Sequence, residues 1–187
     1  MESSKLSDLR FTNWNVRGLN KLTKLKQVMN RLKNLHSKII FLQEIHITVT
    51  KIKQVQRRWH CARGVLILIH KTIPFQLTNT IQDPQGRFVI AQGRIMSLAL
   101  NLVSIYGPNE DNPKFFDNFF LTLSSLYGLN IIGGDFNCTL NPSVDRSTKS
   151  DPHKKQSRKT ILQYITDLNL SEIWRKLNPD KLGYSCY

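Results

Sequence analysis

Residues 131–140 read IIGGDFNCTL. An apolar run stops at two glycines, and an aspartate and an asparagine then flank a phenylalanine. Gly-Asp after a strand is ordinary turn chemistry. The same ending also suits the floor of an active site, where a strand points an acid and an amide outward from a sheet edge. The choice depends on how the other strands of the chain end.

Several end alike. FTNWNV (11–16) reads as a short strand closed by Arg17-Gly18, with Asn15 near its end. KIIFLQE (38–44) is a continuous apolar run that finishes in Gln43-Glu44, the pattern of a strand buried on both faces. RFVIAQGRI (87–95) and LALNLVSIYG (98–107) predict a hairpin around Met96-Ser97, and its second strand closes at Tyr106. LNIIGGDF (129–136) predicts a further buried strand that delivers Asp135 and Asn137. Parallel neighbours bring such ends to one edge of a sheet, where α/β folds commonly place their sites.

The residue types suit phosphate and metal chemistry. Glu44 is an oxygen ligand of the kind a hard cation such as Mg²⁺ prefers. Asp135 can orient or deprotonate a water. Asn15 and Asn137 can hold a phosphate oxygen or that water without adding negative charge, and the Tyr106 hydroxyl can donate to a phosphate. Each has a plainer reading alone: Glu44 as a surface acid among lysines, Tyr106 as a half-buried strand-end tyrosine, Asn15 as a turn former. The set, in this chain order and at strand ends, is more specific than any member.

Around these strands, apolar residues at Leu25, Met29, Leu32 and Leu35 predict an amphipathic helix from Leu22, with lysines on its outer face. GVLILIH (64–70) predicts a strand before a turn near Pro74. NPKFFDNFFLTLSSL (112–126) predicts a helix with Asn112 as N-cap and Pro113 in its first turn; Phe115, Phe116, Phe119, Phe120 and Leu123 are its core residues. After a charged loop over 141–156, residues 157–170 predict a further amphipathic helix. Strands and helices intermingle with hairpins, which indicates a mixed α/β sandwich rather than a regular doubly wound sheet. The 187 residues suit one domain, 1–187.

Charge points to the partner. Twenty-seven Lys and Arg against 13 Asp and Glu give +14 and a pI near 10.0, which favours a polyanion. Between Asp8 and Asp83 the only carboxylate is Glu44, among lysines and arginines throughout. A second basic cluster holds Arg146, Lys149, Lys154, Lys155, Arg158 and Lys159. No apolar segment is long enough to span a bilayer, and MESSKLSDLR lacks a signal peptide's apolar core, so no membrane partner is expected. Cys61, Cys138 and Cys186 form no CxxC pair, which argues against a disulfide framework or a zinc site and fits a reducing compartment.

With WNVRGLN, FLQEIHI, IYGPN, GDFN and LNPSVDRST in order, the chain resembles the endonuclease/exonuclease/phosphatase (DNase I-like) superfamily. Within it, these motifs look most like the endonuclease domain of LINE-type retrotransposons, related to apurinic/apyrimidinic endonucleases and exonuclease III. The resemblance implies a four-layer α/β/β/α sandwich and Mg²⁺-dependent cleavage of DNA phosphodiesters, with Mn²⁺ as a substitute ion; a monomer is expected, and a DNA substrate makes the nucleus the expected location. It places Asn15 and Glu44 at the metal and its water, Tyr106 at the scissile phosphate, and Asp135 at the nucleophilic water. Asn137 becomes a phosphate- or metal-binding neighbour. Asp145-Arg146 match an acid–arginine pair, with Arg146 as a phosphate contact, and Ser185 falls where relatives place a hydroxyl near the DNA backbone. Arg17 stands where the exonuclease III branch has an aspartate, and is assigned to DNA.

The same resemblance implies a later aspartate and a Ser-Asp-His ending, and the sequence stops at KLGYSCY (181–187) before either. The expectation is therefore a domain incomplete at its C-terminus, with the last strands missing and one sheet edge exposed. Weak or no turnover follows as the expectation, with a catalytically dead nucleic-acid-binding remnant of the same fold as the alternative. An inositol-phosphate or phospholipid phosphatase fits the superfamily but not the DRST loop or the DNA-scale charge.

Overall fold

The structure is a computed structural model and describes residues 9–46, 59–61, 64–142, 154–179 and 181. It divides into two compact units, Met1–Tyr106 with Tyr127–Asp135, and Gly107–Leu126 with Phe136–Tyr187.

The first unit contains two four-stranded sheets. One has the order β1 (Phe11–Asn15), β2 (Ile39–Gln43), β4 (Val65–Ile69), β3 (Trp59–Cys61). The other has the order β5 (Phe75–Gln82), β6 (Phe88–Ile95), β7 (Leu98–Tyr106), β8 (Leu129–Asp135). β1–β2 and β7–β8 are the parallel pairs; the others are antiparallel. Alternation along a strand sends successive side chains to opposite faces. Ile39, Phe41, Val65, Ile67 and Ile69 therefore pack toward Val89, Ala91, Leu100 and Leu102 of the second sheet. Ile40, Leu42, Leu66 and Leu68 face the other way and meet helix α1 (Leu22–Asn34). That double burial explains the uninterrupted apolar reading of β2 and β4.

Helix α1 contacts the sheet through Leu25, Val28 and Leu32. Leu35, expected in that seam, is the C-cap and is exposed, because the helix ends at Asn34. Two strands escape the sequence reading. β5 is a polar edge strand with one buried residue, Phe75, and a bulge between Leu77 and Asn79, so it lacks clean alternation. β3 is three residues long. β8, read as a buried strand, is a half-buried edge strand.

The second unit is built on α2 (Pro113–Ser124), α3 (Lys155–Asp167) and the short α4 (Ile173–Leu177). The Asn112 side chain accepts from the Phe115 N–H and caps α2 as its position predicts. Phe116, Phe119, Phe120 and Leu123 are buried; Phe115 is half-exposed and lies edge-on to Phe116. Phe120 stacks on Tyr164 of α3 with centroids 5.0 Å apart. Within the first unit, two facing mixed sheets with helix α1 on the outer side of one make an α/β sandwich.

Candidate active site

The parallel pairs set the positions. β1 runs beside β2 with Asn15 opposite Gln43, one residue before Glu44. β7 runs beside β8 with Tyr106 opposite Asp135. These pairs belong to different sheets, and Asn15 joins them. Its Nδ2 donates to Glu44 Oε1 at 2.8 Å and to Asp135 Oδ2 at 3.0 Å. Asn13, on the same face of β1, donates through Nδ2 to the Gly134 carbonyl at 3.0 Å.

The two glycines before Asp135 make this approach feasible. A Cβ at Gly133 would lie 2.2 Å from the Phe41 ring of the facing sheet, and one at Gly134 would lie 2.2 Å from the Ile105 carbonyl oxygen. Glycine in a strand commonly marks such close approach.

Past the strand ends the backbone remains paired. Val16 N–H donates to Gln43 O, Gly18 N–H to Glu44 O and Leu19 N–H to Ile45 O, at 3.0, 2.6 and 2.8 Å. Within this lacing Arg17 and Glu44 both adopt left-handed backbone, φ 46° and 54°. Such conformations cost about 1–3 kcal/mol for non-glycine residues and cluster at functional sites. The Arg17 N–H donates to Asn15 Oδ1 at 3.1 Å, and Lys24 Nζ donates to the Arg17 carbonyl at 3.0 Å. Behind Glu44, Gln43 is fully buried; its Nε2 lies 3.4 Å from Ser104 Oγ and its Oε1 has no hydrogen-bond partner.

Asn15, Glu44, Tyr106 and Asp135 are all half-buried, so each has a face that solvent or a ligand can reach. Arg17 is exposed. Asn137 belongs to the second unit and is again left-handed, φ 49°. Its Nδ2 donates to Gly107 O at 2.8 Å, while its own carbonyl accepts from Lys154 Nζ. Asp145, Arg146 and Ser185 lie outside the described residues.

Sequence reasoning assigned no part to Asn13 and counted Lys154 and Arg158 in a basic cluster that, as a pattern, favours a polyanion. Both cations turn inward. Lys154 Nζ also donates to Pro108 O at 2.7 Å, and Arg158 Nε donates to Thr139 O at 2.7 Å. A clue was present: α3 has no acid in its first turn, where a helix dipole disfavours cations, so cations there need another purpose.

Asp111 supplies the missing anion. Its carboxylate accepts from the Ser157 N–H at 2.7 Å and the Gln156 N–H at 3.1 Å. Burial would raise its pKa, but the hydrogen bonds from Ser157 and Gln156 and the nearby Lys154 charge outweigh it and hold the carboxyl below the usual range.

The donor set suits a hard cation. Two carboxylate oxygens converge on one amide group. Among the described residues no three His, Cys, Asp or Glu side chains cluster as a metal cage. Carboxylate and amide oxygens are the donor types that hard cations take.

No protein-family model matches the chain. The chain is 25% identical over 193 residues to the uncharacterized 149 kDa protein of transposon TX1 of Xenopus laevis; the match covers 95% of this chain and 14% of that protein. The chain thus spans about a seventh of that relative's length. In three dimensions it is similar to an AP endonuclease from Archaeoglobus fulgidus, with a TM-score of 0.72 at 15% identity over 95% of this chain and 76% of the other. It is also similar to the endonuclease domain of TRAS1, a telomere-specific non-LTR retrotransposon, with a TM-score of 0.59 at 17% identity over 83% and 70% of the two chains. The fold is that of the DNase I-like endonucleases. Among the described residues no helix is long and apolar enough to cross a membrane.

Proposed function

We propose that the chain is a metal-assisted DNA-nicking endonuclease of the retrotransposon type, acting on a phosphodiester at the strand ends described above. The observation that carries this reading is the Asn15 amide bonded to both Glu44 and Asp135, one acid from each sheet. The transposon relative and the fold of the AP endonuclease and TRAS1 structures support the substrate class. A basic surface around a lone Glu44 would concentrate a phosphate backbone there.

Glu44 would hold Mg²⁺ together with Asn15 Oδ1, which already accepts from the Arg17 N–H. The bound ion would supply Lewis-acid polarisation of the phosphate and charge neutralisation at the leaving oxygen. Asp135 orients the attacking water and accepts its proton, and the bond from Asn15 keeps the Asp135 carboxylate turned toward the site. Tyr106, in register with Asp135, donates its hydroxyl proton as a hydrogen bond to a phosphate oxygen. Asn137 contributes a neutral amide to the phosphate or the cation. Arg17, Arg146 and Ser185 contact the DNA backbone.

Nicking of supercoiled plasmid tests this, with Mg²⁺ or EDTA, for the wild-type chain and for Glu44→Ala and Asp135→Ala. The expected result is nicking that needs the metal and falls by at least about 10²-fold in each variant. A folded protein that binds DNA without nicking it would identify a nucleic-acid-binding remnant instead.

A further inference from the structure

The second unit contains an arrangement that the proposed chemistry does not use directly. Two cations from the start of α3 donate to backbone carbonyls of one short segment: Lys154 to Asn137 O and Arg158 to Thr139 O. The Lys154 ammonium also donates to Pro108 O, in the segment that immediately follows β7. Asn137 closes the loop by donating from Nδ2 to Gly107 O. One ammonium therefore ties the residues after Tyr106 to the residues after Asp135. An ammonium has three donors and a compact charge, so it can serve two carbonyls at once, and charge-assisted bonds are stronger than neutral ones.

The surroundings fix the clamp. Asp111 accepts from the Gln156 and Ser157 N–H groups, and the Asn112 N–H donates to the fully buried Ser157 hydroxyl at 2.9 Å. These bonds anchor the start of α3 to the segment leading into α2. The two segments approach closely, since a Cβ at Gly107 would stand 2.2 Å from the Phe136 carbonyl oxygen. Asn137 itself sits in left-handed backbone, φ 49°, a region asparagine enters more readily than most side-chain-bearing residues.

We infer that Lys154, supported by Arg158, is a positioning residue for Asn137: its ammonium holds the Asn137 backbone so that the side-chain amide keeps one orientation, with Nδ2 on Gly107. This rests on the proposed role of Asn137.

The test is a double-mutant cycle in plasmid nicking with Lys154→Met, Asn137→Ala and the double variant, each checked by thermal melting. Lys154→Met is expected to lower kcat by about 10–100-fold, as misplacement of a catalytic group does, with KM for DNA unchanged. In the Asn137→Ala background the same change should cost less than about twofold, because its effect runs through Asn137. Equal losses in both backgrounds, or a raised KM at unchanged kcat, would overturn the proposal in favour of a DNA contact or general destabilisation. A second readout needs no activity. In ¹⁵N spectra Lys154→Met should shift the Asn137 side-chain NH₂ signal and leave that of Asn101, bonded to Tyr127 O and Asn130, in place. An unmoved Asn137 signal sinks the clamp even if the chain nicks. A wild-type chain that never nicks sinks the proposed function, while this spectrum still decides the clamp.

Discussion

Asn15 and Asn137 are amides at and just past the ends of two strands, yet they are held in opposite ways. Asn15 is placed by strand register, and its Nδ2 serves two carboxylates. Asn137 lies beyond its strand in left-handed backbone, its Nδ2 serves a backbone carbonyl, and a lysine grips its own carbonyl. Register is a property of the whole sheet and hard to disturb locally. A clamp depends on a few bonds and can be tuned. An acid-bearing site needs a firm donor between like charges, whereas a neutral ligand needs only orientation.

The largest effect should come from the strand-held side. Asn15→Asp removes the shared donor and adds a third negative charge, so nicking should fall by about 10²–10³-fold, as for loss of one fixed donor. Plasmid assays with melting as a control check this; a milder loss than Lys154→Met gives would reverse the contrast between the two asparagines. Gly133→Val attacks the sheet approach on which Asn15 depends. Its side chain must displace the Phe41 ring, and overpacking of this kind costs about 1–3 kcal/mol, readable as a lower urea midpoint.

The clamp side predicts smaller changes. Asp111→Ala strips the cap of α3 and should cost about 0.5–2 kcal/mol at neutral pH, by analogy with N-cap losses. The pH dependence has a fixed sign. The folded pKa is depressed, so the contribution is complete above the ordinary carboxylate pKa and disappears as pH falls through the lower folded value. Wild type and variant should converge in stability under acid. Smallest of all, Lys33→Gln on the exposed face of α1 should change stability by less than about 0.5 kcal/mol. Its trace should appear in DNA binding, where a lost phosphate contact lowers the salt-dependence slope by about 0.9. An unchanged slope would mark Lys33 as a merely solvated lysine.

Much of the strand-held side was legible in the sequence. The apolar runs of β2, β4, β7 and β8 are strong patterns, and Glu44, Tyr106 and Asp135 stand out as a set, one after another at the ends of those runs. Asn112 was readable as a cap from its place before Pro113. β5 was not, since an exposed edge strand has little apolar period. The carbonyl bonds of Lys154 and Arg158 were not legible for a different reason: a basic residue looks the same whether it meets water, phosphate or a carbonyl across a loop. The reason for Gly133 was hidden too, because the Phe41 ring that forbids a side chain there is 92 residues away in sequence. The bridging bond from Asn15 joins residues 120 apart and needed the two sheets to face each other.

The most direct measurement of the central claim is paramagnetic broadening of side-chain amide signals by Mn²⁺ in the ¹⁵N-labelled protein. If Glu44, Asp135 and Asn15 form a cation site, the Asn15 NH₂ signal should broaden at the lowest Mn²⁺ concentrations and recover with EDTA. Asn79, bonded to Gln92 on the edge strand β5, should stay sharp. Glu44→Gln should abolish the selective broadening. Asn15 and Asn79 broadening together, or Asn15 staying sharp while the folded protein binds Mn²⁺ elsewhere, would contradict the assignment of this strand-end cluster as the cation site.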